Sequence, residues 1–256
     1  MGRSRLDRAS ARKKRTKTRT QSVTVPVSSN VCVMSWNIHG AHGHNPRFNL
    51  ERVIALIKEH DPDVIALQEI DSRRPRERNA LEPFQALKDA LGTHGVEARA
   101  VTTIDGDYGQ AVISRWPIEN PEIHDITYKE REPRRVIRCD VRFPGGPMRI
   151  IATHLGLSVR ERRGQARKLL SLAGDVPHPT LVIGDFNDWF WFGSVRKVLA
   201  AALPARSRTR TFPAKLPLFR FDRIYCRPRA ALISATTDRR ASALSDHLPV
   251  IARIRV

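Results

Sequence analysis

The sequence of 256 residues holds no apolar run approaching the roughly 20 residues that a membrane-spanning helix needs, so no helical membrane span is expected. Cysteine is scarce. Cys32, Cys139 and Cys226 are odd in number, far apart and each inside an apolar stretch. They offer neither a disulfide frame nor a metal knot and read as buried free thiols in a reducing compartment. Acidic residues are few beside basic ones, 26 Asp and Glu against 45 Lys and Arg, which leaves a net charge of +19. An excess of this size draws the chain toward polyanions, whether nucleic acid, anionic lipid headgroups or free phosphates. The opening residues lack the apolar segment of a secretory leader, and the sequence reading places the protein in the cytoplasm, although an Arg-rich, acid-poor start is also the composition of a transit peptide. Internal repeats, long linkers and low-complexity segments are missing as well, which favours one domain. No feature calls for an obligate protein partner.

What is present begins at the N-terminus with a basic tail. Residues 1–27 carry nine Lys and Arg against one acid, Asp7, and have no hydrophobic period. They read as disordered, and residues 28–256 as a single domain. From Val31 onward, strand-like and helix-like segments alternate. Short apolar runs at Val31 to Trp36, Asp63 to Leu67, Gln110 to Ser114, Val136 to Phe143, Met148 to Thr153, Thr180 to Gly184, Asp222 to Tyr225 and Val250 to Ile254 predict strands. Helices are predicted after Asn49, an N-cap residue, over Glu82 to Leu91 with Pro83 in the first turn, over Arg160 to Ala173, and over Ser194 to Ala202.

Polar residues gather where these strands end, the position at which α/β folds build their sites. Asn37 follows the first strand and Glu69 the second. A carboxylate at the mouth of a buried strand needs a partner, and a hard cation supplies one. His154 ends another strand. Asp185 and Asn187, two residues apart after Thr180 to Gly184, can place a carboxylate that activates water beside an amide that steadies a phosphate oxygen. Asp246 and His247 precede the last strand. Neighbouring side chains diverge, so Asp222, from a different strand, is the better candidate to fix the His247 tautomer.

In order along the chain stand Trp36-Asn37, Gln68-Glu69, Gly109 to Arg115, Thr153-His154-Leu155, Gly184-Asp185-Phe186-Asn187, Asp222-Arg223-Ile224 and Ser245-Asp246-His247. The set resembles the endonuclease/exonuclease/phosphatase superfamily, which holds pancreatic-type deoxyribonucleases, abasic-site endonucleases, inositol-polyphosphate phosphatases and sphingomyelinases. The resemblance implies an α/β four-layer sandwich, two mixed β-sheets packed face to face with helices on the outer faces. It implies a magnesium-dependent hydrolase of phosphate esters, with Mn²⁺ a possible substitute. Glu69 would be the principal Mg²⁺ ligand, supported by Asn37 and Asp246. Asp185 would deprotonate the attacking water, Asn187 and His154 would hold phosphate oxygens, and His247, buttressed by Asp222, would contact the scissile phosphate. The chain departs from the family pattern at His39, where many nucleases carry an acid, and at Gln110, where an Asn is common. Arg134 or Arg135 stands where some members put a phosphate-binding Arg, and Arg135 is the candidate assigned.

The substrate is read from two unusual segments. Arg208, Arg210 and Arg220 interleave with Phe212, Phe219 and Phe221 just before Asp222, a mixture suited to phosphates and stacked bases. Trp189 opens a run of four aromatics, and its exposure at the cleft rim would let it wedge into DNA or dip into a lipid interface. Nucleic acid is the favoured partner, with a Mg²⁺-dependent DNA endo- or exonuclease as the expected activity. A phosphatase or phosphodiesterase acting on phospholipid headgroups or soluble phosphates is the alternative, and an inactive nucleic-acid-binding scaffold the third reading.

Overall fold

The alternation of residues 31–36 forms strand β1 (Asn30–Asn37), and its side chains part by parity. Val31 and Val33 join one apolar cluster, whereas Met34 and Trp36 join another on the opposite face. The computed structural model describes residues 1, 29–41, 49–73, 82–189 and 193–256, so residues 2–27 of the predicted disordered tail lie outside the described residues. Helix α1 (Leu50–His60) starts as expected at Asn49, whose side chain accepts from the Arg52 N–H at 3.0 Å. Strand β2 (Val64–Asp71) and helix α2 (Pro83–Leu91) follow, then strands β3 (His94–Thr103), β4 (Gly106–Ser114) and β5 (Ile118–Asp125).

The second half repeats the plan. Strands β6 (Arg135–Phe143) and β7 (Gly146–His154) precede helix α3 (Val159–Ala173), which opens with a capping box between Ser158 and Glu161. Strand β8 (Thr180–Asp185), helix α4 (Ser194–Leu199), and strands β9 (Ala205–Arg206), β10 (Asp222–Arg227), β11 (Leu232–Thr236) and β12 (Val250–Arg255) complete the chain.

The strands make two mixed sheets of six, in the orders β11-β12-β1-β2-β4-β3 and β5-β6-β7-β8-β10-β9. Each sheet holds one parallel pair, β1 with β2 and β7 with β8, joined across a helix, and all its other pairings are antiparallel. Val33, Ala66 and Val250 of one sheet meet Ile137, Ile150, Ile183 and Ile224 of the other in a continuous core between the sheets. Outside it, α1 and α2 cover the first sheet through Val53, Ile57, Phe84 and Leu87, and α3 and α4 cover the second through Leu169, Val195 and Leu199. The result is a sandwich of four layers, two mixed sheets with helices on their outer faces. All three cysteines are buried and free. Among the described residues no helix is long and apolar enough to cross a membrane.

One charged pair is sealed into this frame. Arg149 on β7 donates from Nε and Nη2 to both carboxylate oxygens of Asp140 on β6, at 2.9 and 3.1 Å, with both residues buried. Removing Arg149 leaves the buried Asp140 carboxylate facing His178 Nε2 at 3.6 Å without its bidentate partner. Arg149→Met is therefore expected to lower stability by about 3–5 kcal/mol in urea denaturation. The double variant Asp140→Leu/Arg149→Met should recover most of that loss.

Candidate active site

The same parity that builds the core delivers the polar residues. On the face of β1 that carries Val31 and Val33 toward the other sheet, the next two positions are Ser35 and Asn37. On β8, Leu181 and Ile183 lead to Asp185; on β7, Ile150 and Ala152 lead to His154; on β10, Cys226 and Ile224 run back to Asp222. The inter-sheet layer thus changes from apolar to polar at one end, outside the C-terminal ends of both parallel pairs. Register fixes the neighbours, since His154 and Asp222 both stand opposite Asp185. This close approach needs Gly184 before Asp185, because a Cβ there would lie 1.9 Å from the Thr153 carbonyl oxygen and its φ is +137°.

Glu69 breaks the rule. By parity it belongs with Ile65 and Leu67 on the helix-covered face. An irregularity in the pairing of β2 with β4 between Leu67 and Ile70, and a left-handed backbone at Glu69 (φ 56°), turn it to the site instead. Its Oε1 accepts from Asn37 Nδ2 at 2.8 Å and its Oε2 faces His39 Nδ1 at 3.3 Å. Burial works against the Glu69 charge, but the His39 hydrogen bond, the nearby His154 and the Asn37 amide outweigh it and hold the carboxyl down at about 2.

Asp185 is the hub. Its Oδ1 accepts from the Asn187 N–H at 2.9 Å and its Oδ2 from Asn37 Nδ2 at 3.0 Å. That second oxygen also lies 3.6 Å from His154 Nε2 and 3.8 Å from His247 Nε2. Burial raises the Asp185 carboxyl above the ordinary range, with His247 pulling the other way and Asp222 adding to the rise. Asn187, itself at a left-handed φ of 49°, ties its amide nitrogen to the Leu155 carbonyl at 2.9 Å.

The two histidines differ in charge, and their partners say why. Arg134 Nη1 donates to His154 Nδ1 at 2.9 Å, which leaves the ring proton on Nε2, aimed at Glu69 and Asp185. Burial and the Arg134 charge push His154 down to about 3, so it stays neutral. His247 instead donates from Nδ1 to Asp222 Oδ2 at 2.8 Å. Burial would lower it, but Asp222 and Asp185 raise it to about 10, so the ring is an imidazolium. The loop that carries it is fastened to β1: Trp36 Nε1 donates to the His247 carbonyl at 2.9 Å and Ser245 Oγ to the Asn37 carbonyl at 2.8 Å.

Asp246, next to His247, points its Oδ1 to within 3.6 Å of His39 Nδ1, and this oxygen is sealed from solvent without accepting a hydrogen bond. One ligand atom each from Glu69, His154 and Asp185 lies within 4.8 Å of the others, and the same holds for Asp185, Asp222 and His247. An ionised Glu69 and an Asp246 oxygen that accepts no hydrogen bond, both facing His39, are carboxylate donors suited to a hard divalent cation.

The structure brings Asn37, Glu69, His154, Asp185, Asn187, Asp222, Asp246 and His247 to this one place. It places Arg134, not Arg135, against His154. Arg135 turns away to Asp125 at 2.7 Å, and its carbonyl accepts from Gln110 Nε2 at 2.7 Å. Arg134 precedes β6, so parity gives no signal that separates it from its neighbour. Tyr108 was also missed. Its phenol is pushed up by burial and then by the Glu69 charge. It shares the inward face of β4 with Gln110 and Val112, which the alternation of that strand would have revealed.

Arg208, Arg210 and Arg220 lie apart from this polar cluster, lining a cavity of about 340 Å³ with Arg196, Arg206 and Arg223. A wall of rings joins the two places. Phe212 lies 4.8 Å from both His247 and Phe221, Phe221 stacks on Phe219 at 5.5 Å, and Trp189 packs on Phe221 at 5.4 Å. Trp189 remains half-exposed at the cavity mouth. The rest of its aromatic run, Phe190, Trp191 and Phe192, lies outside the described residues.

Known proteins share this plan. The chain is 31% identical over 242 residues to the uncharacterized protein YbhP of Escherichia coli (strain K12), covering 88% of this chain and 96% of that one. It superposes on an endonuclease/exonuclease/phosphatase from Beutenbergia cavernae with a TM-score of 0.71, 22% identity, and 89% and 72% of the two chains covered. A mannosyl-6-phosphatase of Bacteroides thetaiotaomicron shares the fold at a TM-score of 0.66 and 17% identity, over 88% of this chain and 99% of that one. The sequence model of the endonuclease/exonuclease/phosphatase family matches residues 34–247, and with the polar cluster at the sheet ends lying inside that span, the chain belongs to this family.

Proposed function

We propose that this member of a phosphoesterase family is a Mg²⁺-dependent phosphodiesterase that cleaves DNA. The observation that carries the reading is the arginine-lined cavity joined to the catalytic cluster by stacked rings, a surface that suits phosphates and bases together. Glu69 and Asp246, with Asn37 beside them, would hold Mg²⁺, which supplies Lewis acidity at the phosphoryl group; Mn²⁺ fits the same donors.

The chain's own residues do the rest. Asp185 Oδ2 faces the centre of the cluster and takes the proton of the attacking water, and burial has made it a stronger base than an exposed carboxylate. The Asn187 N–H and the Asn37 amide hold that carboxylate in place. His154, neutral and fixed by Arg134, presents an N–H to a phosphoryl oxygen. The second amide hydrogen of Asn187 does the same. His247, protonated and oriented by Asp222, donates from Nε2 to the oxygens on which negative charge builds, so it acts as an electrophile and not as the base.

A second reading rests on Trp189 and Leu218, exposed apolar side chains that both line the cavity, with Leu216 exposed two positions before Leu218. Exposed apolar side chains of this kind suit the surface of a membrane, and the substrate would then be a phospholipid headgroup. A Mg²⁺-dependent hydrolysis panel separates the readings. It contains plasmid DNA, single-stranded DNA and RNA, choline phospholipid vesicles, a phosphoinositide and a sugar phosphate. Cleavage of DNA at least about 100-fold above the other substrates in kcat/KM is the expected outcome, equivalent to a little under 3 kcal/mol of discrimination. Turnover confined to lipid or to soluble phosphates would reject the nuclease reading.

A further inference from the structure

The cavity beside the catalytic cluster carries more positive charge than a passing strand requires. Arg196, Arg206, Arg208, Arg210, Arg220 and Arg223 line it, against one acid, Asp188. Several arginines elsewhere pair with carboxylates, among them Arg99 with Glu97, Arg142 with Glu119, Arg149 with Asp140 and Arg240 with Asp238. In this cavity Arg206, Arg208, Arg210, Arg220 and Arg223 are gathered with no ion pair to a carboxylate among the described residues. Burial and the surrounding guanidinium groups lower the proton affinity of both Arg206 and Arg220. Neutral acceptors hold two of the side chains in place. Arg220 Nε donates to the Arg208 carbonyl at 2.7 Å, and Arg223 donates from Nε to the Arg220 carbonyl at 2.7 Å and from Nη1 to the Tyr225 hydroxyl at 3.1 Å. These contacts fix orientation and bring Arg220 and Arg223 no negative charge.

Like charges held together in a shaped cavity are an anion site waiting for its ligand. At about 340 Å³ the cavity lies near the lower limit of small-molecule pockets, roughly 300–1,000 Å³, the size of a strand's end and not of its length. A backbone phosphodiester brings one negative charge, whereas a phosphomonoester brings about 1.5 to 2 at neutral pH. Trp189 and Phe219, both on the rim and both exposed on one side, supply ring faces for a base. From His247, the path to this rim is short, 6.1 Å to Phe221 and then 5.4 Å to Trp189 between ring centroids.

We propose that this cavity is a second anion subsite that takes the phosphorylated end of a nucleic-acid strand. The terminal phosphate pairs with the guanidinium groups, the end base lies on Trp189 and Phe219, and an inner phosphodiester lies at Asp185. This rests on the nuclease reading and deepens it, making the enzyme one that works from a phosphorylated terminus.

Two measurements test it. In the first, otherwise identical single-stranded oligonucleotides with a 5′-phosphate, a 3′-phosphate or neither are compared for kcat/KM. One terminal phosphate is expected to raise kcat/KM by about tenfold or more, the effect of a charge-assisted pair gained. Arg208→Ala/Arg210→Ala should abolish that preference. Both side chains are exposed, and an unchanged melting curve for the variant shows that the fold survives. Equal rates on all three strands would overturn the strand-end assignment. In the second, inorganic pyrophosphate is titrated calorimetrically into metal-free protein. It should bind wild type and Asp185→Asn alike, and the double arginine variant about tenfold or more weakly. Pyrophosphate binding unchanged by the arginine substitutions would overturn the subsite itself. Arginine-dependent binding in a protein that cleaves no strand would uphold the anion subsite, reject the nuclease reading and overturn the assignment to a strand end.

Discussion

Asp185→Asn is expected to slow hydrolysis by about 10³–10⁴-fold in kcat/KM while leaving the protein folded. The carboxylate is nearly without solvent contact, and two donors, the Asn187 N–H and Asn37 Nδ2, fix its plane. Asparagine keeps the shape and the acceptor for the Asn187 N–H, but its NH2 replaces the oxygen that accepts from Asn37 and can take no proton from water. It also removes the negative charge that His247 faces at 3.8 Å. Both losses fall on the transition state, so kcat should carry most of the effect and KM little. Stability should change little, because the lower cost of desolvating an amide offsets the hydrogen bond lost from Asn37 and the charge lost opposite His247. The measurement is a paired one, steady-state kinetics and thermal melting on the same preparation. A variant with activity within about tenfold of wild type would remove Asp185 from the role of base, since a general base contributes at least about 10².

The residues on which that prediction turns were legible before any coordinates, and the reason lies in how strands end. A central strand is buried on both faces, so its apolar run is conspicuous, and the first polar residue after it must face the open end of the layer. Asn37, His154 and Asp185 all follow this rule. Glu69 was found from its place after a strand, but its direction could not be read, because a left-handed residue and a break in pairing reverse the parity there. The strands that escaped notice are β3, β5, β9 and β11, and these are the four edges of the two sheets. Edge strands are half-solvated and carry charge or proline, as Ile118-Glu-Asn-Pro-Glu-Ile-His-Asp125 does, so they lack the apolar signature.

The cationic cavity was only half legible, for a related reason. Arg208, Arg210 and Arg220 crowd a short segment rich in aromatics and drew attention by density. Arg196, Arg206 and Arg223 come from a helix and two strands and converge only through the pairing of β9 with β10 and the packing of α4. The ring wall has the same origin. Phe212 and Phe219 are seven positions apart in sequence but face each other across a hairpin, with the Phe219 N–H donating to the Phe212 carbonyl at 2.8 Å. Composition shows only an excess of positive charge, and tertiary structure gathers part of it around one cavity.

The second large effect concerns the metal. Chelation with EDTA is expected to abolish hydrolysis and added Mg²⁺ to restore it, with Mn²⁺ substituting. Glu69→Gln should then raise the half-saturating Mg²⁺ concentration by about 10–100-fold and lower the rate at saturation. The physical ground is the state of this carboxylate. Hydrogen bonds from His39 and Asn37 hold it ionised at about 2 against the pull of burial, and its backbone is turned out of register to present it. A glutamine keeps the length and the hydrogen-bonding shape but offers a neutral oxygen, which compensates little of a divalent charge at a site where few other full charges are free. Asp246, with its unsatisfied buried oxygen, is the remaining carboxylate donor, so binding should weaken and not vanish. Asp185→Asn provides the contrast, because it should depress kcat with a much smaller change in the metal titration. A Glu69→Gln enzyme that titrates with Mg²⁺ like wild type would take Glu69 out of the metal site, and hydrolysis that survives EDTA would overturn the metal-dependent mechanism altogether.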